Sequence, residues 1–145
     1  ERPAASCDAT SVIAGRVAFW SVLAEDTDRT VRQQLPATPL PVAVAADDLA
    51  AALDALLGNV FAHTPDGTDL AVSLRPRPGG GAILTVTDEG PGFPATALRR
   101  GSSGSGSTGL GMDIARQAAE TAGGTLTVDT APAGGARVCL HLAAP

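Results

Sequence analysis

The feature that most constrains the fold of this chain is a leucine-rich stretch with apolar side chains at helical spacing. Apolar residues three or four positions apart share one face of an α-helix, so the stretch predicts an amphipathic helix with one buried face. We expect Asp47 or Asp48 to cap its first turn and His63 to be its last residue, because the residue before Pro65 is disfavoured in a helix. The predicted buried stripe consists of Leu49, Leu53, Leu56, Leu57 and Val60.

Alternating apolar and polar residues predict two β-hairpins further along the chain. Residues 70–74 and 82–87 alternate in this way, and a glycine-rich turn at residues 77–81 separates them. The same pattern returns at residues 126–128 and 138–142, around a second turn rich in Pro and Gly. Each pair is expected to contribute two antiparallel strands to one sheet.

Two further helices and one short strand complete the predicted order. Helical spacing extends over residues 12–33 and again over residues 110–122, where Gly123 and Gly124 are expected to end the helix. Residues 42–45 are a short strand candidate. This order predicts an α+β fold, a two-layer sandwich in which helices cover one face of a mixed, mostly antiparallel sheet. The buried face of the first helix is expected to contain Ile13, Val17, Trp20, Leu23 and Ala24.

Length and charge limit the class of protein. With 145 residues, the chain has the size of one domain that can bury a core. Its net charge of −5 argues against nucleic acid as a partner, since binding to a phosphate backbone relies on clustered Lys and Arg. Cys7 and Cys139 lie near opposite ends without a CxxC motif, so we expect free thiols rather than a disulfide or a zinc site.

The same chain offers no signal for a membrane or for secretion. No apolar run reaches the roughly 18 residues of a membrane span, and no signal peptide is visible. The sequence starts in the middle of a pattern at Glu1. We therefore expect a piece of a longer protein that lies in the cytoplasm and makes no membrane contact of its own. This expectation holds whether or not another part of the parent protein is anchored in a membrane.

An acidic residue at the end of a predicted strand is the first candidate for ligand binding. Asp88 is followed by glycines two and four positions later, in the sequence DEGPG. Its carboxylate can accept a hydrogen bond from an exocyclic amine, and Gly90 and Gly92 would let the backbone approach a flat ring. The pattern also describes an ordinary Gly-Pro turn after a strand, so both interpretations stay open at this point.

A glycine-rich segment leads into the last predicted helix. Residues 101–107 contain only Gly and Ser, and residues 104–109 match the dinucleotide-binding pattern G-x-G-x-x-G. That pattern requires a preceding apolar strand, whereas residues 97–103 have the polar composition of a loop. We expect instead that backbone N–H groups and the positive end of a helix dipole face a phosphate here. A flexible linker would explain the Ser-Gly run but not the Gly-Leu-Gly sequence after it.

Asn59, on the leucine-rich helix, is the third candidate. It lies off the leucine stripe, on the same edge as Ala52, Ala55 and His63. Its neutral side-chain oxygen could complete a Mg²⁺ shell made mainly of phosphate oxygens and water. A solvated asparagine on an exposed face is the alternative, and His63 lacks the partners that a metal site needs.

Together these three elements resemble the ATPase domain of sensor histidine kinases, within the GHKL superfamily of Bergerat-fold ATPases. The match extends from about Val42 to Leu142. Residues 54–65 resemble the N-box, residues 88–92 the G1 box and residues 107–112 the G2 box. Each motif is short, and it is their joint order and spacing that make the match specific.

The resemblance implies a division of the chain and a set of partners. Residues 19–25 resemble the segment that joins phosphoacceptor helices to the ATPase domain. Residues 1–35 would then be a helical joining segment and residues 36–145 an ATP-binding catalytic domain. The implied partners are a helical phosphoacceptor domain of the same parent protein and a response regulator downstream, as in bacterial two-component signal transduction.

The resemblance also gives roles to individual residues. Asn59 would hold Mg²⁺ for catalysis, and Asp88 would recognise the adenine amino group of ATP. Gly90 and Gly92 would shape the base pocket, and Arg100 would supply positive charge beside the phosphates. The other residues expected to contact the nucleotide are His63, Ser107, Thr108, Gly109, Leu110 and Gly111.

Three departures from the family pattern bear on activity. Ala55 stands where the N-box usually has a second polar residue, and Asp54 cannot replace it because it lies about 100° away around the helix. Ala62 stands where many relatives have a Lys or Arg that contacts phosphate. The aromatic F-box is absent, so that Arg99 or Arg100 is left to supply charge. These losses imply weaker nucleotide binding and affect turnover more than binding.

The resemblance implies a protein-histidine kinase that transfers the γ-phosphoryl group of ATP to a histidine on a separate domain. Neither His63 nor His141 lies in a phosphoacceptor context, so we expect no autophosphorylation of this chain alone. Two alternatives stay open: another GHKL ATPase, such as an anti-sigma-type serine kinase, and a degenerate nucleotide-binding module that docks partners without turnover.

Overall fold

The computed structural model describes residues 5–89, 106–131 and 134–145, and for residues 106–111 it describes the backbone alone. Within these residues, three helices pack on one face of a five-stranded sheet, and two short strands form a separate ribbon. The elements are β1 (Cys7–Asp8), α1 (Ala9–Glu25), β2 (Val31–Gln34), β3 (Pro41–Val42), α2 (Ala46–His63), β4 (Leu70–Pro76), β5 (Ala82–Asp88), α3 (Gly106–Thr121), β6 (Thr125–Thr130) and β7 (Ala136–Leu142).

The five-stranded sheet has the order β2-β4-β5-β7-β6. Strand β2 runs parallel to β4, whereas every other neighbouring pair is antiparallel. Alternate residues of the central strands, such as Val72, Leu84 and Leu140, are fully buried beneath the helices. The predicted α+β sandwich with a mixed, mostly antiparallel sheet and both predicted hairpins are therefore confirmed.

Helix α2 supplies the centre of the core, and its predicted leucine stripe is buried along its whole length. The predicted cap at Asp47 or Asp48 is wrong, because Ala45 is the N-cap and makes no side-chain hydrogen bond. Both aspartates lie in the first turn instead, where carboxylates interact favourably with the helix dipole. The predicted end of the helix at His63 is confirmed, with Thr64 as the C-cap.

Helix α1 is shorter than its sequence pattern predicts. It ends at Glu25, and the chain then turns through Asp28, which has a φ of 56°. Residues 31–34 form β2 in the main sheet, so the predicted continuation of the helix to Gln33 is wrong. Apolar spacing stops at Ala24, and the charged residues after it offer no apolar face for another helical turn.

The inner face of α1 packs on the same core as the rest of the chain. Ile13, Val17 and Ala24 are buried and Trp20 is half-buried, whereas Leu23, which was expected to be buried, is exposed. Leu23 is adjacent in sequence to Ala24, so it lies about 100° around the helix from the buried face. The division of the chain near residue 35 stays a prediction.

The short strand β3 is displaced from its predicted position. Only Val42 of the predicted residues 42–45 lies in β3, which pairs with β1 in the two-stranded ribbon. The Ala43 N–H donates instead to the carbonyl of Ala143 (2.9 Å), and the chain enters α2 at Ala46. The predicted bounds of this strand are therefore wrong.

Helix α3 begins at Gly106, before the predicted start at Leu110. The first turn of a helix needs no apolar side chain, so apolar periodicity alone could not locate it. The predicted glycine C-cap is confirmed: Gly123 has a φ of 75°, and the Gly124 N–H donates to the carbonyl of Ala119 (2.8 Å).

Two simpler expectations concern the cysteines and the helices. Cys7 and Cys139 are free thiols, and burial together with neighbouring Asp8 raises the pKa of the Cys7 thiol. In the ranges that the structure describes, no helix combines the length and apolar content needed to cross a bilayer.

Candidate functional site

Asn59 lies in α2, four residues before the helix ends at His63, and is 8% exposed. Its Nδ2 is completely buried, and no hydrogen-bond partner lies within reach among the described residues. A buried amide without a partner costs about 1–3 kcal/mol, so such a residue calls for an explanation beyond packing. The alternative of a solvated asparagine on an exposed face is wrong.

Asp88 is the last residue of β5 and is 7% exposed. It lies opposite Leu70 of β4 in the antiparallel ladder, and the Ala136 N–H of β7 donates to its Oδ1 (3.4 Å). The following residue is fixed as well, since the Glu89 N–H donates to the carbonyl of Asp69 (3.0 Å). The carboxylate is therefore held among backbone groups at one end of the sheet.

Gly135 lies directly against Asp88. A Cβ atom at Gly135 would lie 1.6 Å from the carbonyl oxygen of Asp88 and 3.0 Å from its Oδ1. Sequence reasoning missed Gly135 and Ala136 as residues that position Asp88, because a Gly-Gly pair between two strands predicts a turn and nothing more. The close approach of two strand ends depends on register, which the local sequence does not show.

An ion pair between exposed side chains links the two strands of the β6–β7 hairpin near Gly135. Arg137 donates from Nε and Nη2 to the two carboxylate oxygens of Asp129, each at 2.8 Å. These hydrogen bonds, together with the positive charge of Arg137, lower the pKa of the Asp129 carboxyl. The pair holds β6 and β7 together one residue beyond Ala136.

Helix α2 contacts both β5 and α3, so the elements that carry Asn59, Asp88 and the G2-like segment belong to one packed body. Residues 107–111 lie in α3, whose backbone is helical from Gly106 onward. Ser107, Thr108 and Gly109, which the predicted start at Leu110 left in the segment leading into the helix, therefore belong to the helix itself, as do Leu110 and Gly111. Gly90, Gly92, Arg99 and Arg100 lie outside the described residues.

His63 ends α2 on the exposed side of the helix, next to exposed Ala62. Ala55, one turn before Asn59, is half-buried. Ala62 brings no charged side chain to this edge of α2, as its position in the sequence indicates.

Asp54 faces helix α1. Its Oδ1 accepts from Arg16 Nε (2.9 Å) and Trp20 Nε1 (2.8 Å), and its Oδ2 accepts from Arg16 Nη2 (3.1 Å). The Trp20 ring also packs against the Phe61 ring, with centroids 5.1 Å apart. Asp54 is thus committed to the α1–α2 junction, in agreement with the expectation that it does not replace the polar residue missing at Ala55.

Comparison with known proteins identifies the family. The model of the histidine kinase-, DNA gyrase B- and HSP90-like ATPases matches residues 44–145, which include Asn59 and Asp88. Sensor histidine kinase TmoS of Ectopseudomonas mendocina is 36% identical over 103 residues, or 62% of this chain and 11% of TmoS. Sensor protein PfeS of Pseudomonas aeruginosa is 40% identical over 115 residues, or 72% of this chain and 24% of PfeS.

The fold is shared with a solved member of this group. The crystal structure of the ATP binding domain of PrrB from Mycobacterium tuberculosis aligns with a TM-score of 0.77 at 23% identity, covering 99% of each chain. The chain spans about a tenth of TmoS and about a quarter of PfeS. The resemblance to the ATP-binding domain of sensor histidine kinases is confirmed, and the chain belongs to the family of histidine kinase-, DNA gyrase B- and HSP90-like ATPases.

Proposed function

We propose that this chain is the ATP-binding catalytic domain of a two-component sensor histidine kinase and that it binds Mg·ATP between α2 and the end of β5. The observation that carries the proposal is the pair of buried polar residues, Asn59 and Asp88, on two packed elements of a histidine kinase-type ATPase domain. Polar side chains that are buried on packed elements call for an explanation beyond packing, and a ligand site supplies one.

Asp88 is proposed to recognise the base. Its carboxylate accepts hydrogen bonds only, so it selects a ring that presents an amino group, as adenine does. The contact with Ala136 N and the space left by Gly135 keep the carboxylate in place before the nucleotide arrives. Gly90 and Gly92 are proposed to complete the base pocket.

Asn59 is proposed to hold Mg²⁺ through its side-chain oxygen. The residues present fit this ion, because the amide oxygen of Asn59 is a neutral hard ligand of the kind that Mg²⁺ takes. The buried Nδ2, which has no partner among the described residues, is a donor that a phosphate oxygen of the same nucleotide would satisfy. When bound, Mg²⁺ neutralises charge on the phosphates. His63 and the segment Ser107, Thr108, Gly109, Leu110 and Gly111 are proposed to border the nucleotide, and Arg100 to contribute positive charge.

The proposed reaction is transfer of the γ-phosphoryl group to a histidine on a separate helical domain of the same parent protein. This domain would act by positioning the nucleotide, since phosphoryl transfer requires little covalent chemistry from the protein. Residues 1–35 are proposed to join the two domains, and a response regulator to receive the phosphoryl group afterwards. The proposed location of this part of the protein is the cytoplasm.

A docking module that binds nucleotide without turnover is the second candidate. Ala55 and Ala62 favour it, because neither can activate water or contact a phosphate with a charge. An added phosphoacceptor domain distinguishes the two candidates: a kinase transfers the γ-phosphoryl group of labelled ATP to it, whereas a docking module leaves it unlabelled. This chain alone is expected to stay unlabelled in both cases.

Titration with a non-hydrolysable ATP analogue tests binding directly. Wild type is expected to bind the analogue more tightly with Mg²⁺ than with a chelator. Asp88→Asn should lose affinity by about tenfold or more in both conditions, whereas Asn59→Ala should lose only the gain from Mg²⁺. Glu120→Gln, an exposed carboxylate change on α3, is the matched control. Absence of binding by wild type at millimolar nucleotide, or an unaltered gain from Mg²⁺ in Asn59→Ala, would contradict the proposal.

A further inference from the structure

Arg29 is a buried cation in the turn that follows α1. The residue is 5% exposed, and a buried guanidinium is costly unless hydrogen bonds satisfy it. Its Nε donates to the Thr27 hydroxyl (3.1 Å), and the nearest carboxylate, exposed Asp66, is 4.0 Å away. An exposed carboxylate at that distance contributes little, so the charge must be stabilised mainly by other groups.

Those groups lie at the C-terminal end of α2. Arg29 Nη2 donates to the carbonyls of Thr64 (2.9 Å) and Phe61 (3.4 Å), and Nη1 donates to the Thr64 hydroxyl (2.6 Å) and the Thr68 carbonyl (3.3 Å). The last carbonyls of a helix lack intrahelical donors and carry the negative end of its dipole. Arg29 therefore caps α2 from a different part of the chain.

The same turn of α2 is also held by ring contacts. The Arg29 guanidinium carbon lies 4.6 Å from the centroid of the Phe61 ring, and Phe61 in turn packs against Trp20. Trp20 donates to Asp54, on the other side of Asn59 in sequence. Contacts from outside α2 thus flank Asn59 at residue 54 and at residues 61 and 64.

Asn59 lies within this supported stretch of α2. Its amide nitrogen has no partner among the described residues, so no hydrogen bond from that atom fixes its direction. The carbonyl of residue 59 accepts from the N–H of residue 63 in a regular helix, and Arg29 stabilises the turn that contains both. The turn is also fixed internally, since the Thr64 hydroxyl donates to the Val60 carbonyl.

We infer that Arg29 is a positioning residue for Asn59: by capping α2, it sets the direction in which the Asn59 side chain meets the metal ion. This inference rests on the proposed function, in which Asn59 holds Mg²⁺. Arg29 does not need to touch nucleotide or metal for this role. The proposed Mg²⁺ site thus also depends on Arg29, a residue that lies outside all three sequence motifs.

The test compares the gain in nucleotide affinity from Mg²⁺ in four variants. Arg29→Met should reduce this gain about tenfold, and Thr64→Val, which removes one acceptor of Arg29, about threefold. Arg75→Met removes an exposed arginine, and Leu74→Ala weakens the core at the end of β4 far from Asp88. Both controls should keep the gain of wild type, although Leu74→Ala lowers the free energy of unfolding.

A second measurement needs no nucleotide. Asn59 is the single asparagine in the sequence, so selective ¹⁵N-Asn labelling gives NMR signals from this residue alone. Arg29→Met and Thr64→Val should shift or broaden its side-chain amide signals, and the two controls should leave them in place. If Arg29→Met does not fold, Arg29→Lys and Thr64→Val are measured in the same way.

The outcomes separate the inference from the proposed function. Unchanged Mg²⁺ gain and unchanged Asn59 signals in the Arg29 and Thr64 variants would overturn the inference while leaving the proposed function intact. A wild type without any gain from Mg²⁺ would overturn the proposed function, and the NMR signals alone would then decide whether Arg29 orients Asn59.

Discussion

Asp88 and Asn59 lie on two elements of one packed body, yet the structure holds them by different means. Asp88 ends a central strand between two ladder neighbours, and its Oδ1 accepts from the backbone N–H of Ala136. Asn59 lies on a helix that other side chains fix from outside, namely those of Trp20 and Arg29. The adenine side of the proposed site is thus built from backbone, and the magnesium side from side chains.

The two sides are therefore expected to be sensitive to different substitutions. A residue held by strand register tolerates many side-chain changes nearby but no added volume at the point of closest backbone approach. A residue on a helix tolerates added volume on the exposed side but loses its direction when the contacts that fix the helix are removed. Substitutions that act on one side only can therefore test the comparison.

The largest expected effect comes from Gly135→Ala on the adenine side. The added Cβ would lie 1.6 Å from the carbonyl oxygen of Asp88, so the ends of β5 and β7 must separate. We expect the free energy of unfolding to fall by about 3 kcal/mol and nucleotide affinity to fall with and without Mg²⁺. Urea denaturation and analogue titration measure the two effects.

Gly15→Ala is the matched control for this change. Gly15 lies in α1, where an added Cβ meets no atom within 4 Å, and alanine favours a helix over glycine. We expect a gain in stability of about 0.5–1 kcal/mol and unchanged nucleotide affinity. If Gly135→Ala behaved like this control, the backbone account of the adenine side would be wrong.

Most of the fold could be predicted from the sequence because its main signals are periodic. The leucine stripe of α2 and the alternation of four strands reflect one-sided burial, which repeats along each element. The predictions that were wrong concern residues where the sequence has no repeating apolar pattern. The N-cap at Ala45 has no side-chain signature, and the strand β2 is too short and too exposed to alternate visibly.

The candidate site was predictable only in part for the same reason. Asn59 and Asp88 belong to local motifs that a reader of the sequence can find. Gly135, Ala136 and Arg29 act across the fold, at separations of more than thirty residues from the groups that they support. Their roles depend on strand register and on the path of the turn after α1, neither of which a local pattern shows.

A smaller effect is expected from Asp54→Ala at the α1–α2 junction. The change removes the acceptor for Arg16 and Trp20, but the side chains of Arg16 and Asp54 are 31% and 37% exposed, so solvent screens the pair. We expect a loss of about 1–2 kcal/mol in the free energy of unfolding, together with a moderate loss of the gain from Mg²⁺. Affinity without Mg²⁺ should not change.

Trp20 reports this change directly, because it is the single tryptophan in the sequence. Its indole N–H signal should move in Asp54→Ala, and a double-mutant cycle with Arg16→Met should assign about 0.5–1 kcal/mol to the ion pair itself. Loss of affinity without Mg²⁺ would show that the junction also supports the adenine side, and the separation of the two sides would fail.

The smallest expected effect is a pH-dependent one at the β6–β7 hairpin. Hydrogen bonds from Arg137 lower the pKa of Asp129 below its ordinary value of 3.8 in the folded state. The unfolded chain therefore binds more protons at acidic pH, and the contribution to stability is present above the ordinary pKa and lost as pH falls through the folded pKa.

Asp129→Asn should lower the urea midpoint slightly at neutral pH, by an amount that shrinks with added salt because the pair is at the surface. The difference from wild type should begin to shrink near pH 3.8 and disappear once the pH is below the lowered folded pKa, whereas Glu120→Gln should not reproduce this pattern. A difference that grows on acidification would contradict the assigned pair, and a large loss of adenine-side affinity would show that the hairpin, not the register at Asp88 alone, holds Gly135 in place.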